Sequence, residues 1–593
     1  MSVHKNKPAE RQFKGISASP GIAIGPVHLL EKNIISVEKR TLLPEEVPGE
    51  IQKFQEALQK TRAELISIKK RVRDNIGEEN AKLFDAHLLI LEDKIVIDEV
   101  IRRIREERIN ADWVYFKIMR NTHDLMISGT DDYLRERSLD ILDVKRRVIR
   151  NFQGGTDAVG PDLPEPGVVV SHELTPSEIV LLNRKHILGL AIDLGGKTSH
   201  MAILARSFEK PAVVGLQHFS KAVEKGNTII VDGNAGRVIL NPSANTLQDY
   251  QRRQEDYRKF LEELLPLRKQ SSTTLDGHEI ELSANIEFPE EVESVLSHEA
   301  KGVGLYRTEY LFLRQAKFPE EEEQFLEYST VAKRLFPRSV IFRTFDLGGD
   351  RLSIMEPHTQ EKNPFLGWRS IRISLDKPEI FKTQLRAILR SSAKGNVRLM
   401  FPMITSITEI RQAKKLLEEA KKELRKEKHP FDDKLPVGIM IEVPAAAMMA
   451  EEFAREADFM SIGTNDLIQY TLAVDRGNEK IAPLYTGFHP AVLRLISKTI
   501  EGGHRQKVWV GMCGEFASNP LAIPILLGMG LDELSVSPYF LDETKKIVRS
   551  LRYREMKKMA QKVLSYDSAE KVQAYAERFL KRRLSKGLLG TRK

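Results

Sequence analysis

The sequence predicts a multidomain α/β protein, in which a helical bundle is inserted in a small α/β domain and a C-terminal (β/α)8 TIM barrel follows. Eight strand-like runs, most of them separated by helical stretches, occur from residue 279 onwards and are typical of a barrel of about 250 residues. Long amphipathic helices fill the region between residues 44 and 151. Short apolar runs rich in Gly and Pro flank these helices on both sides and predict strands of the small domain.

Five segments follow from these patterns. Residues 1–43 form an N-terminal segment whose strand material, Ile16 to Leu30, joins the small α/β domain. Residues 44–152 form the helical domain, and residues 153–242 form the α/β domain after a loop-rich start. A helical linker covers residues 243–270, and residues 271–593 contain the barrel and a basic C-terminal tail.

The predicted strands are short and apolar. In the small α/β domain they are GVVVSHEL, HILGLAID, AVVGL and NTIIVDG. In the barrel they are EIELSANI, GVGLYRTEYLF, SVIFRTFDLG, VRLMFPMI, VGIMIEVP, FMSIGTNDL, VWVGMCGE and ELSVSP. This alternation is the only repeat that we detect along the chain.

Composition excludes several classes of protein. The 593 residues are 41% hydrophobic and 30% charged, which excludes disordered, collagen-like and disulfide-rich chains. The single cysteine, Cys513, cannot form an internal disulfide, as is usual in a reducing cytoplasm. The start of the chain lacks the apolar core of a signal peptide, and no run reaches the ~20 apolar residues of a membrane helix. We therefore expect a soluble, cytoplasmic protein without a membrane partner.

The net charge of +8 is unevenly distributed. From Lys545 to Lys593 there are 16 Lys or Arg and 4 Asp or Glu, so the rest of the chain is slightly acidic. The high isoelectric point therefore does not indicate a basic protein that binds nucleic acid.

Polar residues occur where the predicted barrel strands end, which is where barrel enzymes place their active sites. Each Arg alone could be a surface salt-bridge partner, and each isolated Glu or Asp could be a helix cap. Their convergence on one predicted rim favours a site. The candidates are Arg307, Arg343, Arg369, Glu442, Asn465, Asp466, Arg476 and Cys513.

The residue types at this rim suit a small phosphorylated carboxylic acid. Arg presents a planar fork that binds phosphate and carboxylate oxygens. Glu442 and Asp466 offer hard oxygen ligands for Mg²⁺. Free cysteine is by default a small buried hydrophobe, but at a barrel rim between glycines Cys513 could deliver a proton to an enolate carbon.

A second candidate centre is His200, in the run GGKTSH. The glycines permit a tight turn near an anion, but the run is not a P-loop because Ala191 stands where that motif needs glycine. A lone His after such a turn is more often a capping or packing residue. Imidazole can also attack phosphorus and form a phosphohistidine.

The run GGKTSHMAILAR resembles the phosphohistidine signature of phosphoenolpyruvate-utilising enzymes. From about Gly15 to Pro538 the chain is similar to Enzyme I of the bacterial sugar phosphotransferase system. The matching motifs, in order, are ISASPGIAIG, HLLILED, GLYRTEYLF, FRTFDLGGD, NPFLGWR, IEVPAA, SIGTNDLIQYT, DRGN and GMCGE.

This resemblance implies a phosphotransferase that acts in the first step of sugar uptake. It implies that the barrel binds phosphoenolpyruvate and Mg²⁺, that His200 takes the phosphoryl group, and that His200 passes it to a histidine of the carrier protein HPr. Arg307, Arg343, Arg369, Arg476, Asn465 and Asp466 would bind the substrate, Glu442 and Asp466 the metal, and Cys513 would protonate the enolate of pyruvate.

The resemblance also assigns roles to the domains. Residues 153–242 become a swivelling phosphohistidine domain, with hinges near 153–167 and 243–270. The helical domain becomes the docking surface for HPr, and the barrel domain becomes the site of homodimer formation. Plausible contributors to docking are Glu78, Glu79, His87 and Glu92, although each is equally compatible with an ordinary solvated helix face.

Other interpretations stay open. Pyruvate phosphate dikinase and phosphoenolpyruvate synthase share the motifs but need a nucleotide-binding domain, for which the sequence before Gly195 offers no room. A nitrogen-related Enzyme I paralogue carries an extra N-terminal sensory domain. A non-catalytic scaffold would use the basic tail. Met201 departs from the small residue that usually follows the histidine, and the tail does not match the family ending well.

Overall fold

The computed structural model describes residues 9–30, 37–76, 78–128, 132–154, 165–174, 186–194, 210–224, 226–309, 311–312, 318–348, 361, 363–475, 481 and 484–583. The chain divides into two compact units, residues 1–259 and residues 260–590. Each unit is described by itself.

The first unit contains an eight-stranded sheet in the order β1-β8-β7-β3-β4-β5-β6-β2. β3 pairs antiparallel with β7 and parallel with β4, so strands from both sides of the helical segment share one sheet. The strands are β1 (Arg11–Lys14), β2 (Ile16–Ser19), β3 (Ile22–Leu29), β4 (Gly167–Ser171), β5 (Ile187–Ile192), β6 (Ala212–Val214), β7 (Thr228–Asp232) and β8 (Arg237–Leu240).

The predicted strands of the small α/β domain are confirmed, and the sheet adds two that were not predicted. β4 and β5 are buried along almost their whole length, which explains their continuous apolar sequences. The additional strands are β1 and β8, which pair with each other. β1 carries the sequence RQFK and is largely exposed, so its charged sequence gave no strand signal.

Among the described residues between β3 and β4, five α-helices form the predicted bundle. They are α1 (Val47–Ile76), α2 (Glu78–Leu91), α3 (Lys94–Glu107), α4 (Ala111–Ser128) and α5 (Asp132–Phe152). Their apolar faces meet in one core that includes Phe54, Leu65, Phe84, Tyr115 and Val144. The three- and four-residue spacing of apolar positions is therefore the spacing of this core.

One residue proposed for the docking surface lies inside the bundle. His87 is 0% exposed, and its Nε2 lies 3.5 Å from Asp140 Oδ1 and 3.4 Å from Asp143 Oδ2. Its assignment to a docking surface is therefore wrong, because helix periodicity did not separate a buried polar position from an exposed one. Glu92 is exposed and pairs with Arg62 at 2.7 Å. The side chains of Glu78 and Glu79 lie outside the described part of the structure.

The long polar helix predicted between Ser243 and Leu265 is α6 (Ala244–Leu264). Its first half packs on the sheet of the first unit. Tyr250 donates its hydroxyl to Asp232 at 3.1 Å, and Gln254 donates to the carbonyl of Ile22 at 2.8 Å.

The second unit is a closed barrel in which all eight strands pair in parallel. Each predicted strand run contains one of them. They are β9 (Glu281–Ile286), β10 (Gly302–Arg307), β11 (Ser339–Arg343), β12 (Val397–Phe401), β13 (Val437–Ile441), β14 (Phe459–Ile462), β15 (Trp509–Met512) and β16 (Glu533–Val536).

The helices described between and after these strands complete the barrel. They are α7 (Val292–Ser297), α8 (Glu321–Leu335), α9 (Ile371–Asp376), α10 (Pro378–Ser391), α11 (Ile407–Glu427), α12 (Pro444–Met448), α13 (Ala450–Ala454), α14 (Thr464–Leu472), α15 (Pro490–Arg505), α16 (Ile523–Gly528), α17 (Leu541–Arg549), α18 (Tyr553–Leu564) and α19 (Ala569–Lys581). Among the described residues, none of the helices is long and apolar enough to span a bilayer.

The predicted basic tail is folded as far as it is described. Lys545 is buried and donates to the carbonyl of Arg268 at 2.7 Å. Met556 and Val563 of α18 are fully buried, and α18 packs against α16 of the barrel. Residues up to Lys581 are therefore amphipathic helices whose basic residues mostly face outward, and they do not form a free tail.

We expect Gly438→Ala to destabilise the barrel. A Cβ atom at Gly438 would lie 2.4 Å from the ring of Phe459, which is buried in the barrel interior. Overpacking of this kind costs about 1–3 kcal/mol. The measurement is the urea midpoint of the barrel transition. Gly49→Ala is the control because a Cβ there meets nothing within 4 Å, and an equal midpoint shift in both variants would contradict the packing explanation.

Candidate active site

The barrel places most of the predicted rim residues at one end. Arg307 and Arg343 are the last residues of β10 and β11. Glu442 directly follows β13, and Cys513 directly follows β15. Since all eight strands are parallel, their carboxyl ends form a single mouth.

Two predicted positions differ from expectation, and two cannot be placed. Asn465 and Asp466 do not close the sixth strand, because β14 ends at Ile462 and both residues lie in the first turn of α14. His200 and Arg476 lie outside the described residues.

A shared carboxylate joins two of the arginines. Arg369 Nη2 donates to Asp346 Oδ1 at 2.9 Å, and Arg343 Nη1 lies 3.2 Å from Asp346 Oδ2. Arg343 Nη2 also donates to Glu309 Oε1 at 2.8 Å. Burial raises the pKa of Asp346, but the charges of Arg343 and Arg369 outweigh this effect and hold the pKa at about 2. The carboxylate is therefore ionised at neutral pH.

Arg369 extends this network to α14. Its Nη1 lies 3.4 Å from Asp466 Oδ1 and donates to the hydroxyl of Tyr470 at 3.0 Å. Burial raises the pKa of Tyr470 to about 12, so the phenol stays neutral. Arg369 therefore fixes α14 relative to the loop after β11.

Arg307 lies on the strand next to Arg343 but pairs separately. Its Nη1 donates to Glu287 Oε1 at 2.6 Å, and its side chain is partly exposed. Arg307 thus retains access to solvent and to a substrate at the mouth.

Glu442 is a buried carboxyl in a negatively charged environment. It is 1% exposed, and its Oε1 accepts a hydrogen bond from the backbone of Met403 at 2.6 Å. Burial raises its pKa well above the usual range, and the charges of Asp466 and Asp346 raise it further. The absence of a side chain at Gly463 leaves room for the carboxyl group of Glu442, because a Cβ atom at Gly463 would lie 2.8 Å from Glu442 Oε2.

These carboxyl groups fit a divalent cation. The repulsion that disfavours the charged form of Glu442 would be relieved by a cation between it and Asp466. In the described part of the chain, no three or more His, Cys, Asp or Glu side chains are grouped to hold a metal by themselves. A cation here would therefore take part of its coordination from substrate and water, as Mg²⁺ usually does.

Cys513 is held at the inner edge of the mouth. It is 2% exposed, and its backbone N–H donates to the carbonyl of Ile462 at 3.1 Å. Asn285 donates to the carbonyl of Cys513 at 2.8 Å. Burial raises the pKa of the Cys513 thiol to about 11, so it carries its proton at neutral pH and suits a proton donor better than a nucleophile.

Asn465 links α14 to the loop that follows Cys513. Its Oδ1 accepts a hydrogen bond from the backbone of Glu515 at 3.1 Å. Tyr485 donates its hydroxyl to the carbonyl of Asn465 at 2.9 Å. Asn465 therefore ties the first turn of α14, which also contains Asp466, to the loop after Cys513.

Sequence reasoning missed the partners of the arginines. They are Glu287, Glu309, Asp346 and Tyr470. Glu309 stands two residues after Arg307, and Asp346 stands three residues after Arg343. Glu309, Asp346 and Tyr470 also lie inside the motifs GLYRTEYLF, FRTFDLGGD and SIGTNDLIQYT, which could have pointed to them, whereas Glu287 carried no such signal.

In the first unit, the chain that enters the run with His200 is fixed at Asp193. This buried carboxylate accepts hydrogen bonds from the backbone and hydroxyl of Ser220, at 3.0 and 2.6 Å. His172 Nδ1 lies 3.1 Å from the same carboxylate. The described segment that contains β5 ends at Leu194, two residues after the end of that strand.

Models of three domain families match the chain. They describe the N-terminal domain of phosphoenolpyruvate (PEP)-utilising enzymes over residues 14–137, the mobile domain of these enzymes over residues 163–236, and their PEP-binding domain over residues 262–553.

Curated relatives are similar over nearly the whole chain. The phosphoenolpyruvate-protein phosphotransferase of Staphylococcus carnosus is 41% identical over 96% of this chain and 99% of its own. The protein of the same name from Geobacillus stearothermophilus is 42% identical over 96% and 98%. That from Bacillus subtilis is 41% identical over 96% and 100%. A solution structure of Enzyme I (nEIt) is 39% identical, covers 42% of this chain and 99% of its own, and has a TM-score of 0.36.

We expect the contribution of Asp346 to stability to disappear in acid. Its folded-state pKa of about 2 is below the ordinary value of 3.8, so the stabilisation is complete above about pH 5 and is lost as the pH falls towards 2. At pH 7, Asp346→Asn should cost on the order of 2 kcal/mol. The measurement compares unfolding midpoints of parent and variant at pH 7 and pH 3. A difference that does not shrink at pH 3 would contradict the assignment.

Proposed function

Because the chain belongs to the family of phosphoenolpyruvate-protein phosphotransferases, we propose that it transfers the phosphoryl group of phosphoenolpyruvate to its own His200 and then to a histidine of the phosphocarrier protein HPr. Pyruvate is released, and the reaction is the first step of sugar uptake by the phosphotransferase system. The observation that carries this proposal is the chain of contacts from Arg343 through Asp346 and Arg369 to Asp466, beside Glu442 and Cys513 at one barrel mouth.

Arg343 and Arg369 bind the substrate in this proposal, together with Arg307 and Arg476. Guanidinium groups present five N–H donors each, so those already held by Glu309 and Asp346 keep further donors for phosphate and carboxylate oxygens. The carboxylates fix the arginines before the substrate arrives. Transfer of a phosphoryl group depends mainly on such positioning and on neutralised charge.

Glu442 and Asp466 would hold Mg²⁺ between them. When bound, the ion supplies positive charge to the phosphate oxygens and relieves the repulsion between the two carboxylates. Asn465 lies next to Asp466 in the first turn of α14, and it accepts a hydrogen bond from the loop after Cys513.

Cys513 completes the conversion of enolpyruvate to pyruvate. After the phosphoryl group has left, the S–H bond of Cys513 breaks and a C–H bond forms at the methylene carbon of the enolate. A thiol that stays protonated at neutral pH is available for this donation at the start of every turnover.

His200 must reach the substrate at the barrel and then the carrier. We assign this movement to the segments 153–167 and 243–270 that border the domain 153–242. Docking of HPr falls to the helical domain 44–152. The barrel domain 271–593 forms the homodimer in this proposal, and the site of action is the cytoplasm.

Exposed apolar side chains support docking on the bundle. Arg62 pairs with Glu92 and Lys69 pairs with Asp85, which places α1 beside α2. Ile66, Leu89 and Ile95 are exposed, in contrast to the buried core below them. An apolar centre with charged neighbours is the usual make-up of a transient protein interface.

Neither of two alternative functions, a non-catalytic scaffold and a nitrogen-related paralogue, is supported by the described residues. A scaffold with a basic tail was suggested by the charge after Lys545, but these residues belong to helices packed on the barrel as far as Lys581. No observation favours the nitrogen-related paralogue.

The first test is nucleotide-free phosphorylation. With labelled phosphoenolpyruvate and Mg²⁺, the parent should acquire acid-labile, base-stable label, and His200→Ala should acquire none because the acceptor nitrogen is gone. His504→Ala, which changes an exposed histidine of α15, is the matched control and should be labelled like the parent. Label that persists in His200→Ala would contradict the role of His200.

The second test concerns the metal. We expect Glu442→Gln to raise the Mg²⁺ concentration needed for half-maximal labelling by about 10-fold or more, because one of two anionic ligands is lost. Glu452→Gln, on the exposed side of α13, is the control. Labelling is measured over a Mg²⁺ titration after treatment with a chelator. An unchanged half-maximal concentration in Glu442→Gln would remove Glu442 from the metal site.

A further inference from the structure

A glutamine lies on the apolar face of α10. Gln384 is 0% exposed, and the residues one, three and four positions away on the same helix, Leu385, Phe381 and Ile388, are also buried. This spacing places them on the face that packs against the barrel. A buried amide destabilises the fold unless its polar groups form hydrogen bonds. Gln384 therefore needs partners that its apolar neighbours do not supply.

Gln384 finds these partners near the ends of β10 and β11. Its Oε1 accepts a hydrogen bond from the backbone N–H of Phe345 at 3.0 Å. Its Nε2 donates to Thr308 Oγ1 at 3.1 Å and to the hydroxyl of Tyr328 at 3.3 Å. The amide has one acceptable orientation, because its nitrogen could not accept a hydrogen bond from Phe345 N–H. Both N–H groups and the carbonyl oxygen of Gln384 are thus paired.

Thr308 connects Gln384 to Arg343. Thr308 directly follows β10, and its Oγ1 donates to the carbonyl oxygen of Arg343 at 2.9 Å. The same oxygen accepts the hydrogen bond from Gln384. Gln384 also binds the N–H of Phe345, two residues after Arg343. The backbone at the end of β11 is therefore held on both sides of Thr344.

Glu309, the residue after Thr308, binds the same stretch of chain. Its Oε1 accepts hydrogen bonds from the backbone N–H of Asp346 at 2.9 Å and from Arg343 Nη2 at 2.8 Å. The segment 343–346 carries two charged groups of the mouth, the guanidinium of Arg343 and the carboxylate of Asp346. The conformation of this segment decides where both groups point. Hydrogen bonds that fix its backbone therefore also fix these charges.

The network ends on α8. Tyr328 donates its hydroxyl to Gln324 Oε1 at 3.2 Å, which leaves a lone pair of that hydroxyl for Gln384. Gln324 Nε2 donates in turn to the carbonyl of Pro319 at 2.9 Å. Thr308, Tyr328 and Gln324 are buried like Gln384. A hydrogen bond lost from this network is therefore not replaced by bulk water.

We propose that Gln384 and Thr308 are positioning residues for phosphoenolpyruvate, which act from beneath the mouth by fixing the segment 343–346. This inference rests on the proposed role of Arg343 in binding the substrate. Both residues contact the segment through its backbone atoms, so they act through Arg343 and Asp346. Donors that are ordered in advance bind a ligand more tightly than donors that the ligand must first order. Loss of the network should therefore weaken substrate binding.

The first measurement is binding without turnover. In the full-length chain with His200→Ala, calorimetry with phosphoenolpyruvate and Mg²⁺ gives the Kd. Adding Thr308→Val, which removes one hydroxyl and keeps the shape, should raise the Kd about 10-fold, as should Gln384→Met. The reason is that the segment 343–346 then adopts its binding arrangement for only part of the time.

Two further variants control this measurement. Thr308→Ser retains the hydroxyl and should keep the Kd within about twofold of the parent. Gln412→Met changes an exposed glutamine of α11 and should leave the Kd unchanged. An equal rise in Thr308→Ser and Thr308→Val would show that the hydroxyl is not the cause, and it would overturn the proposal.

Turnover gives a readout that a merely structural role would not move. In chains that retain His200, the KM for phosphoenolpyruvate should rise about 10-fold in Thr308→Val and Gln384→Met, while kcat stays within about threefold. Saturating substrate draws the segment 343–346 into its binding arrangement, so the loss is paid at the binding step. A network that only stabilised the barrel would lower the unfolding midpoint and leave KM unchanged at temperatures well below it.

The outcomes separate this proposal from the one on which it rests. If the His200→Ala chain does not bind phosphoenolpyruvate, or if Arg343→Ala binds it as well as the parent, then the proposed substrate site is wrong and this inference falls with it. If Arg343→Ala is impaired but Thr308→Val and Gln384→Met keep the parental Kd and KM, then only this inference is overturned. Thr308→Val decides the question if Gln384→Met is unfolded at the assay temperature.

Discussion

Asp346 pairs with Arg343 and Arg369 at the same time, and the barrel mouth depends on this shared carboxylate. Two buried guanidinium groups repel each other unless an anion lies between them. With Asp346 between them, Arg343 also donates a hydrogen bond to Glu309, and Arg369 also donates one to Asp466. Charges from β10, β11 and α14 are therefore ordered by side chains of the protein itself. A site ordered in this way spends little energy on reorganisation when its substrate binds.

The same mouth combines groups with opposite proton affinities. Asp346 keeps a negative charge because two cations adjoin it, whereas Glu442 is pushed towards its neutral form by burial and by neighbouring carboxylates. Cys513 lies deeper, among apolar side chains such as Met440 and Phe459, and keeps its proton. The environment of each group, more than its residue type, thus decides whether it stays charged or carries a proton.

The sequence was sufficient to predict the barrel strands and most of the polar residues at their carboxyl ends. Eight apolar runs predicted eight parallel strands because each strand is buried on both faces, and Arg307, Arg343, Glu442 and Cys513 stand at strand ends that simple counting can find. Pairing was not predictable, because the contact of Arg369 with Asp466 joins residues 97 positions apart. The prediction that His87 is exposed was wrong for a related reason. Its aspartate partners lie on another helix, and only their approach explains why a polar side chain is buried there.

The C-terminal helices carry a consequence for anyone who shortens this chain. α18 and α19 bury Met556, Val563, Val572 and Leu580 beneath a basic outer surface, and Arg583 pairs with Glu555 across the two helices. Removing them takes away positive charge that is easily seen in the sequence. It also bares the hydrophobic surface of α16, which is hidden in the intact chain and on which α18 packs. A truncated protein would then lose colloidal stability, and its precipitation could be mistaken for the loss of a binding partner.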